Sequence, residues 1–142
     1  MKRKILLILS LFILCGCQST PTRVLSEHVT LYFFYTKTCP VCKSFQKNAI
    51  SYLKEIFGHT ITIESYDLDD AANKFVYDSV IYSLEDFDDE LYGRNPFYAV
   101  DGYFAKLWYT VGDEKYLADD IEHAIHQEPL SDELSDLRYL YQ

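Results

Sequence analysis

The stretch that most constrains this chain is Tyr32-Phe33-Phe34-Tyr35-Thr36-Lys37-Thr38-Cys39-Pro40-Val41-Cys42-Lys43. An aromatic, strand-like run ends in a short polar turn, and two cysteines at C-x-x-C spacing lead into helix-compatible sequence. Val29 to Tyr35 is almost continuously apolar or aromatic. Such a run reads as a strand buried on both faces, in the middle of a sheet covered by helices. Pro40 suits the first position of a helix, where its missing N–H is no loss. Cys39 then falls at the N-cap, facing unpaired N–H groups and the positive end of the helix dipole. A thiolate is favoured over a thiol there, which makes Cys39 the candidate nucleophile. Cys42, inside the first turn and more sheltered, suits the role of resolving thiol. A pair at this spacing can close a small disulfide ring and open it again.

Downstream, the chain alternates between helical and strand-like patterns. Val41, Phe45, Ala49, Tyr52, Leu53, Ile56 and Phe57 form one apolar helical face, with Gly58 as its stop. Ile61 to Tyr66 reads as a second strand, and Asp69 or Asp70 as the cap of the next helix. The stripe Ala72, Phe75, Val76, Ser79, Val80, Leu84, Phe87 and Leu91 extends that helix to Leu91. Its acidic stretch from Glu85 to Glu90 reads as a solvated face. Gly93-Arg94-Asn95-Pro96 breaks the helix. Phe97 to Val100 and Tyr103 to Val111 read as a hairpin about Asp101-Gly102. Leu117, Ile121, Ala124 and Ile125 mark a last amphipathic helix. The order β-α-β-α-β-β-α makes an α/β domain with a mixed sheet over residues 29–127. Residues 128–142, with Leu130, Leu134, Leu137 and Tyr141, read as a C-terminal extension: a short extra helix packed on the domain, or a partner segment.

The N-terminus speaks to location. Met1-Lys2-Arg3-Lys4 is positive, and Ile5 to Cys15 is apolar except for Ser10. That run is shorter than the roughly 20 residues a spanning helix needs. It has the form of a secretory signal peptide, residues 1–16. Leu14-Cys15-Gly16-Cys17 resembles a bacterial lipobox, which implies cleavage before Cys17 and lipid on its sulfur. Residues 17–28, polar with Pro21, then form a lipidated tether. With that processing Cys15 leaves, Cys17 is capped, and Cys39 and Cys42 are the free thiols of the mature chain, in a compartment that permits disulfides.

Composition narrows the partners. Hydrophobic residues are 49% and aromatics 16% of 142, which fits one globular domain rather than a disordered chain. The net charge is −9, and the leader would take three further basic residues with it. So acidic a protein is repelled by phosphate backbones, which argues against nucleic-acid binding. It is also repelled by anionic head groups, so membrane attachment would rest on the lipid.

The element order, with C-P-x-C at the first strand-to-helix junction, Asn95-Pro96 before the third strand, and the Asp101-Gly102 hairpin followed by a closing helix, resembles the thioredoxin superfamily over residues 29–127. The resemblance implies a thiol–disulfide oxidoreductase without a bound cofactor, acting as a monomer on protein disulfides or dithiols. It implies Cys39 as the attacking cysteine, Cys42 as the resolving one, and Pro96 as a cis-proline shaping the substrate groove. The C-P-x-C form, with Thr38 before it and Pro40-Val41 inside it, is more similar to glutaredoxin, to Dsb-type proteins and to small thioredoxin-like proteins of Gram-positive bacteria, including bacteriocin-transport accessory proteins. The first strand lacks the buried acid that thioredoxins place beneath the cysteines: Leu31, Phe33 and Phe34 accept no proton. Water or Lys37 is left for that task. Direction of electron flow stays open; lipid-anchored relatives that draw electrons from a membrane partner incline it toward a reductant or isomerase-like carrier, on the outer face of the cell membrane.

Two other readings stand beside this one. C-x-x-C is half of a zinc site, which needs two more ligands. His28, His59, His123 and His126 are the histidines, and His123 and His126 lie on the last helix, far from the cysteines in this fold; copper lacks thioether ligands, because Met1 is the only methionine. The third reading is an accessory or docking lipoprotein whose aromatic surplus (Tyr103, Trp108, Tyr109, Tyr139, Tyr141) forms a partner surface.

Overall fold

A computed structural model describes residues 21–142. The leader, Cys15, Cys17 and the start of the tether therefore lie outside the described residues. Five strands form one open sheet in the order β2-β1-β3-β4-β5. They are β1 (Val29–Tyr35), β2 (Ile61–Asp67), β3 (Phe97–Val100), β4 (Phe104–Leu107) and β5 (Arg138–Leu140). The β1–β2 pair is parallel, and β1–β3, β3–β4 and β4–β5 are antiparallel, so the sheet is mixed. The helices are α1 (Pro40–Phe45), α2 (Ser51–Phe57), α3 (Lys74–Ile81) and α4 (Asp113–Ile125).

β1 is an interior strand, flanked by β2 and β3, and its side chains feed two cores. Leu31 and Phe33 join Phe45, Leu53, Phe57, Leu117 and Ile121 on one face. Phe34 joins Tyr77, Val80, Ile81 and Phe97 on the other. α1, α2 and α4 thus cover one face and α3 the opposite one, the sandwiched arrangement that the unbroken apolar run calls for. Phe45 anchors the cysteine-bearing helix. Its ring stacks at 4.6 Å on both Phe33 and Tyr98 and meets Tyr109 edge-on at 5.2 Å. Such pairs add roughly 0.5–1.5 kcal/mol each beyond area burial.

The 40–57 helix is continuous, but a π-helical turn, Gln46–Ile50, separates α1 from α2. Three expectations need larger correction. The helix read through to Leu91 ends at Ile81. Phe87 and Leu91 still pack on the second core, though off the α-helix: Phe87 sits in irregular backbone and Leu91 in a 3-10 turn, Asp89–Leu91. Asp88 caps that turn by accepting the Glu90 N–H. The acidic run sets like charges three and four apart on a would-be helix, which disfavours continuation. Glu85 N–H also donates to Leu140 O at 2.8 Å, and Leu84 bridges Tyr141, so this segment is held by the tail.

Second, residues 128–142 form no extra helix and no separate extension. They contribute β5, whose pairing with β4 covers an edge otherwise open to association. Leu134 is fully buried. Asp120 of α4, also fully buried, accepts Ser131 N–H at 2.7 Å and the Arg138 guanidinium at 3.3 Å. The domain does not end at residue 127. Third, the tether narrows. Leu25 is buried, Arg23 N–H donates to Ile56 O at 2.8 Å, and its side chain pairs with Asp119 at 2.7 Å. Residues 21–28 therefore lie along the domain.

The hairpin closes with Val100 opposite Phe104, so its loop is the three residues Asp101-Gly102-Tyr103. Gly102 supplies the φ of 76° there. The return strand stops at Leu107 rather than Val111, because Trp108 turns the backbone at φ 74°.

A chain ending at residue 127 is expected to lose cooperative folding. Asp120→Ala should lower unfolding free energy by about 3 kcal/mol, because it strands a largely buried guanidinium. Chemical denaturation of both variants checks this, and wild-type stability in the truncated chain would restore the separate extension.

Candidate functional site

The site starts where β1 runs out. Cys39 N–H donates to Thr36 O at 3.2 Å, which closes a tight turn between strand and helix. Cys39 is the N-cap of α1, with Pro40 at the first helical position. Its sulfur accepts the Cys42 backbone N–H at 3.0 Å. That hydrogen bond, with the helix dipole behind it, stabilises negative charge on Cys39 Sγ. Cys39 and Cys42 form a disulfide across a Cα–Cα distance of 5.2 Å. The two sulfurs differ in access: Cys39 is partly exposed, whereas Cys42 is 1% exposed and part of the first core.

Antiparallel pairing of β1 with β3 brings a second segment to the same place. Phe34 lies opposite Phe97, so residues just before β3 sit beside residues just after β1. The Asn95–Pro96 peptide there is cis. Asn95 Oδ1 lies 3.2 Å from Cys42 Sγ and accepts the Thr36 hydroxyl at 3.3 Å. Pro96 O accepts the Trp108 N–H at 2.9 Å. Asn95 and Thr36 are the site neighbours that sequence reasoning missed, and Trp108, read only as part of a partner surface, joins them. Asn95 stood in plain view beside Pro96, but only the strand register shows that its amide reaches a cysteine.

Trp108 is 51% exposed and lines two clefts. One, of about 350 Å³, includes Pro40, Val41, Tyr109 and Val111. The other, of about 420 Å³, includes Arg94, Asn95, Leu107 and Leu137. The clefts border the cysteine pair, one through Pro40 and the other through Asn95. Of the aromatics read as a partner surface, Tyr109 is buried, Tyr103, Tyr139 and Tyr141 are half-buried, and Trp108 alone is exposed.

Lys37 is not placed to receive a proton. Its ammonium pairs with Asp67 Oδ2 at 3.1 Å. The hydrogen bond it donates to Asp67 and that carboxylate's charge raise its pKa, so it stays protonated near neutrality. The histidines lie apart from the cysteines in their contacts: His28 Nε2 is 2.8 Å from Thr62 Oγ1, and His123 Nε2 is 3.9 Å from Glu128. Among the described residues no three His, Cys, Asp or Glu side chains converge as a metal-ligand set. None of their helices is long and apolar enough to cross a membrane.

No protein-family model matches the chain, and comparisons with curated proteins and with solved structures likewise find no match. The functional reading therefore rests on the residues and their geometry.

After reduction, a thiol-alkylating reagent is expected to label Cys39 well before Cys42 at neutral pH, as peptide mass spectrometry would show. Faster labelling of Cys42 would contradict the asymmetry drawn from burial and the N-cap.

Proposed function

We propose that the protein is a thiol–disulfide oxidoreductase with a thioredoxin-like architecture, held on the extracytoplasmic face of a bacterial membrane by lipid on Cys17. The observation that carries this reading is the Cys39–Cys42 disulfide at a helix N-terminus, one sulfur accessible and the other buried. The strand order, with β1 between parallel β2 and the β3–β4 hairpin, supports the thioredoxin-like assignment. By the same resemblance Pro96 belongs to the substrate groove.

In the reducing direction the Cys39 thiolate attacks one sulfur of a client disulfide. A Cys39–client bond forms, and the client's other sulfur leaves as a thiolate and takes a proton. Cys42 then loses its proton, attacks Cys39 Sγ, and releases the second client thiol. The client gains two electrons and two protons, and the protein ends with its own disulfide. The reverse sequence oxidises a client dithiol. Donor and acceptor on the membrane side would be another dithiol protein.

The clefts about Trp108 give the client backbone and its apolar side chains somewhere to lie. A peptide threading past Cys39 meets Val41 and Val111 on one side of the indole and Leu107 and Leu137 on the other. Trp108 would then contribute to binding of polypeptides and not to the sulfur chemistry.

The direct test is turnover of a disulfide-bonded polypeptide with a chemical dithiol as electron source. Cys39→Ser should abolish activity, and Cys42→Ala should accumulate client proteins disulfide-linked through Cys39. Absence of both turnover and trapped species would sink the reading. Trp108→Ala is expected to raise KM for a polypeptide disulfide about tenfold, roughly what loss of a 1–2 kcal/mol contact produces, with little change toward a small-molecule disulfide. Equal losses on both substrates would remove Trp108 from client binding.

A further inference from the structure

Cys42 is buried among apolar side chains, and its sulfur nevertheless meets a polar side chain. Asn95 Oδ1 stands 3.2 Å from Cys42 Sγ. An amide oxygen has two acceptor lone pairs and no proton to give. In the disulfide the sulfur has no hydrogen, so the pair is simply in contact. In the dithiol and in the mixed disulfide Cys42 carries a hydrogen, and Asn95 Oδ1 is the acceptor within reach. The Thr36 hydroxyl donates to the same oxygen at 3.3 Å, which uses the second lone pair and orients the amide. Thr36 directly follows β1 and Asn95 lies two residues before β3, so the arrangement is set by the pairing of those two strands and not by the mobile end of a long side chain.

We propose that Asn95 is the positioning residue for the resolving thiol: its side-chain oxygen accepts the Cys42 S–H, keeping Cys42 neutral until Cys39 has reacted. This rests on the exchange reading above. A hydrogen bond accepted from the neutral form of a group opposes its ionisation. Burial of Cys42 acts in the same direction. Cys39, by contrast, receives an N–H donor. One cysteine is thereby biased to the thiolate and its partner to the thiol, three residues apart. The step that follows balances without a protein base. Cys42 gives its proton to water, its thiolate attacks Cys39 Sγ, the Cys39–client bond breaks, and the client thiolate is protonated in turn. Asn95 neither takes nor supplies that proton. Its role is to hold the S–H and set the pH at which resolution begins. Because β1 offers no acid at Leu31, Phe33 or Phe34, and Lys37 is engaged by Asp67, the described residues place no ionised side chain on this sulfur.

The test titrates Cys42 alone, in the chain carrying Cys39→Ser with Cys15 and Cys17 also replaced by Ser, by thiolate absorbance or by alkylation rate against pH. Adding Asn95→Ala should lower the titration midpoint by about one pH unit, roughly the worth of one hydrogen bond to the neutral form. Adding Asn95→Asp should raise it above the parent, since an anionic acceptor holds the proton more tightly. Mere loosening of the site would move both variants downward. Shifts of one sign in both, or in neither, would overturn the proposal, as would a rise in Asn95→Ala, which would mean that the amide presents its NH2 group to the sulfur. Should the alanine variant fail to fold by circular dichroism, the sign of the Asn95→Asp shift decides. Because the measurement needs no client, its failure leaves disulfide exchange standing. Failure of turnover in the wild-type protein leaves the titration interpretable.

Discussion

The antiparallel register between β1 and β3 is the interaction on which the site depends. With Phe34 opposite Phe97, the end of β1 and the beginning of β3 emerge side by side. Thr36 lies two residues beyond Phe34, and Asn95 two residues before Phe97; their side chains meet at 3.3 Å. The first helical turn then carries Cys42 to the same point. A slip of one residue would turn every β3 side chain to the opposite face and exchange the two cores. The register is locked by the side chains it aligns. Phe34 and Phe97 have ring centroids 5.9 Å apart in one core, while Phe33, Phe45 and Tyr98 stack in the other. Without that alignment the cysteine pair would be a disulfide on a helix with no second wall.

Two sulfurs in one short ring are given opposite surroundings by ordinary means. Cys39 is raised to the surface as an N-cap and receives an N–H. Cys42, one turn later, points into the core beneath Phe45's helix. No ion pair and no unusual backbone is required for this asymmetry, only the phase of a helix that begins at Pro40. The nearest lysine, Lys37, is occupied by Asp67. A chain of net charge −9 thus presents its accessible disulfide beside apolar and aromatic side chains, with Arg94 lining the adjoining cleft.

The far edge of the sheet shows the same economy of backbone hydrogen bonds. β4 is short because Trp108 leaves the strand, and its outer edge is completed by β5. Lys106, buried at the strand centre, donates to Asp136 O at 2.7 Å, and burial pushes its pKa down. Arg138 reaches back to Asp120. The tail is thereby bonded to both a helix and a strand, and its last residues hold the segment after α3. The cleft on the Asn95 side of Trp108 includes Leu137, so the tail also helps to shape the surface beside the cysteines.

Much of this was legible in the residues. The all-apolar run 29–35 reads as a doubly buried strand because only a central strand can hide both faces, and C-P-x-C reads as an N-capping pair because proline has one comfortable place in a helix. Local chemistry was enough for these. The stripe from Ala72 to Leu91 misled, because apolar spacing records which residues are buried and not the backbone that buries them; Phe87 and Leu91 reach the core from a loop and a 3-10 turn that follow a segment, Leu84 and Glu85, bonded to Tyr141 and Leu140. Residues 130–141 misled for the same reason, their helix-like spacing being overridden by an open strand edge on β4. By itself, the sequence determined the central strand, the position and polarity of the cysteine pair, and the acidic character of the chain. Only the tertiary structure decided that Asn95 touches Cys42, that Trp108 divides the surface beside it, and that the tail closes the sheet. Those contacts join residues tens of positions apart, and they follow from strand register and edge pairing, which no local pattern encodes.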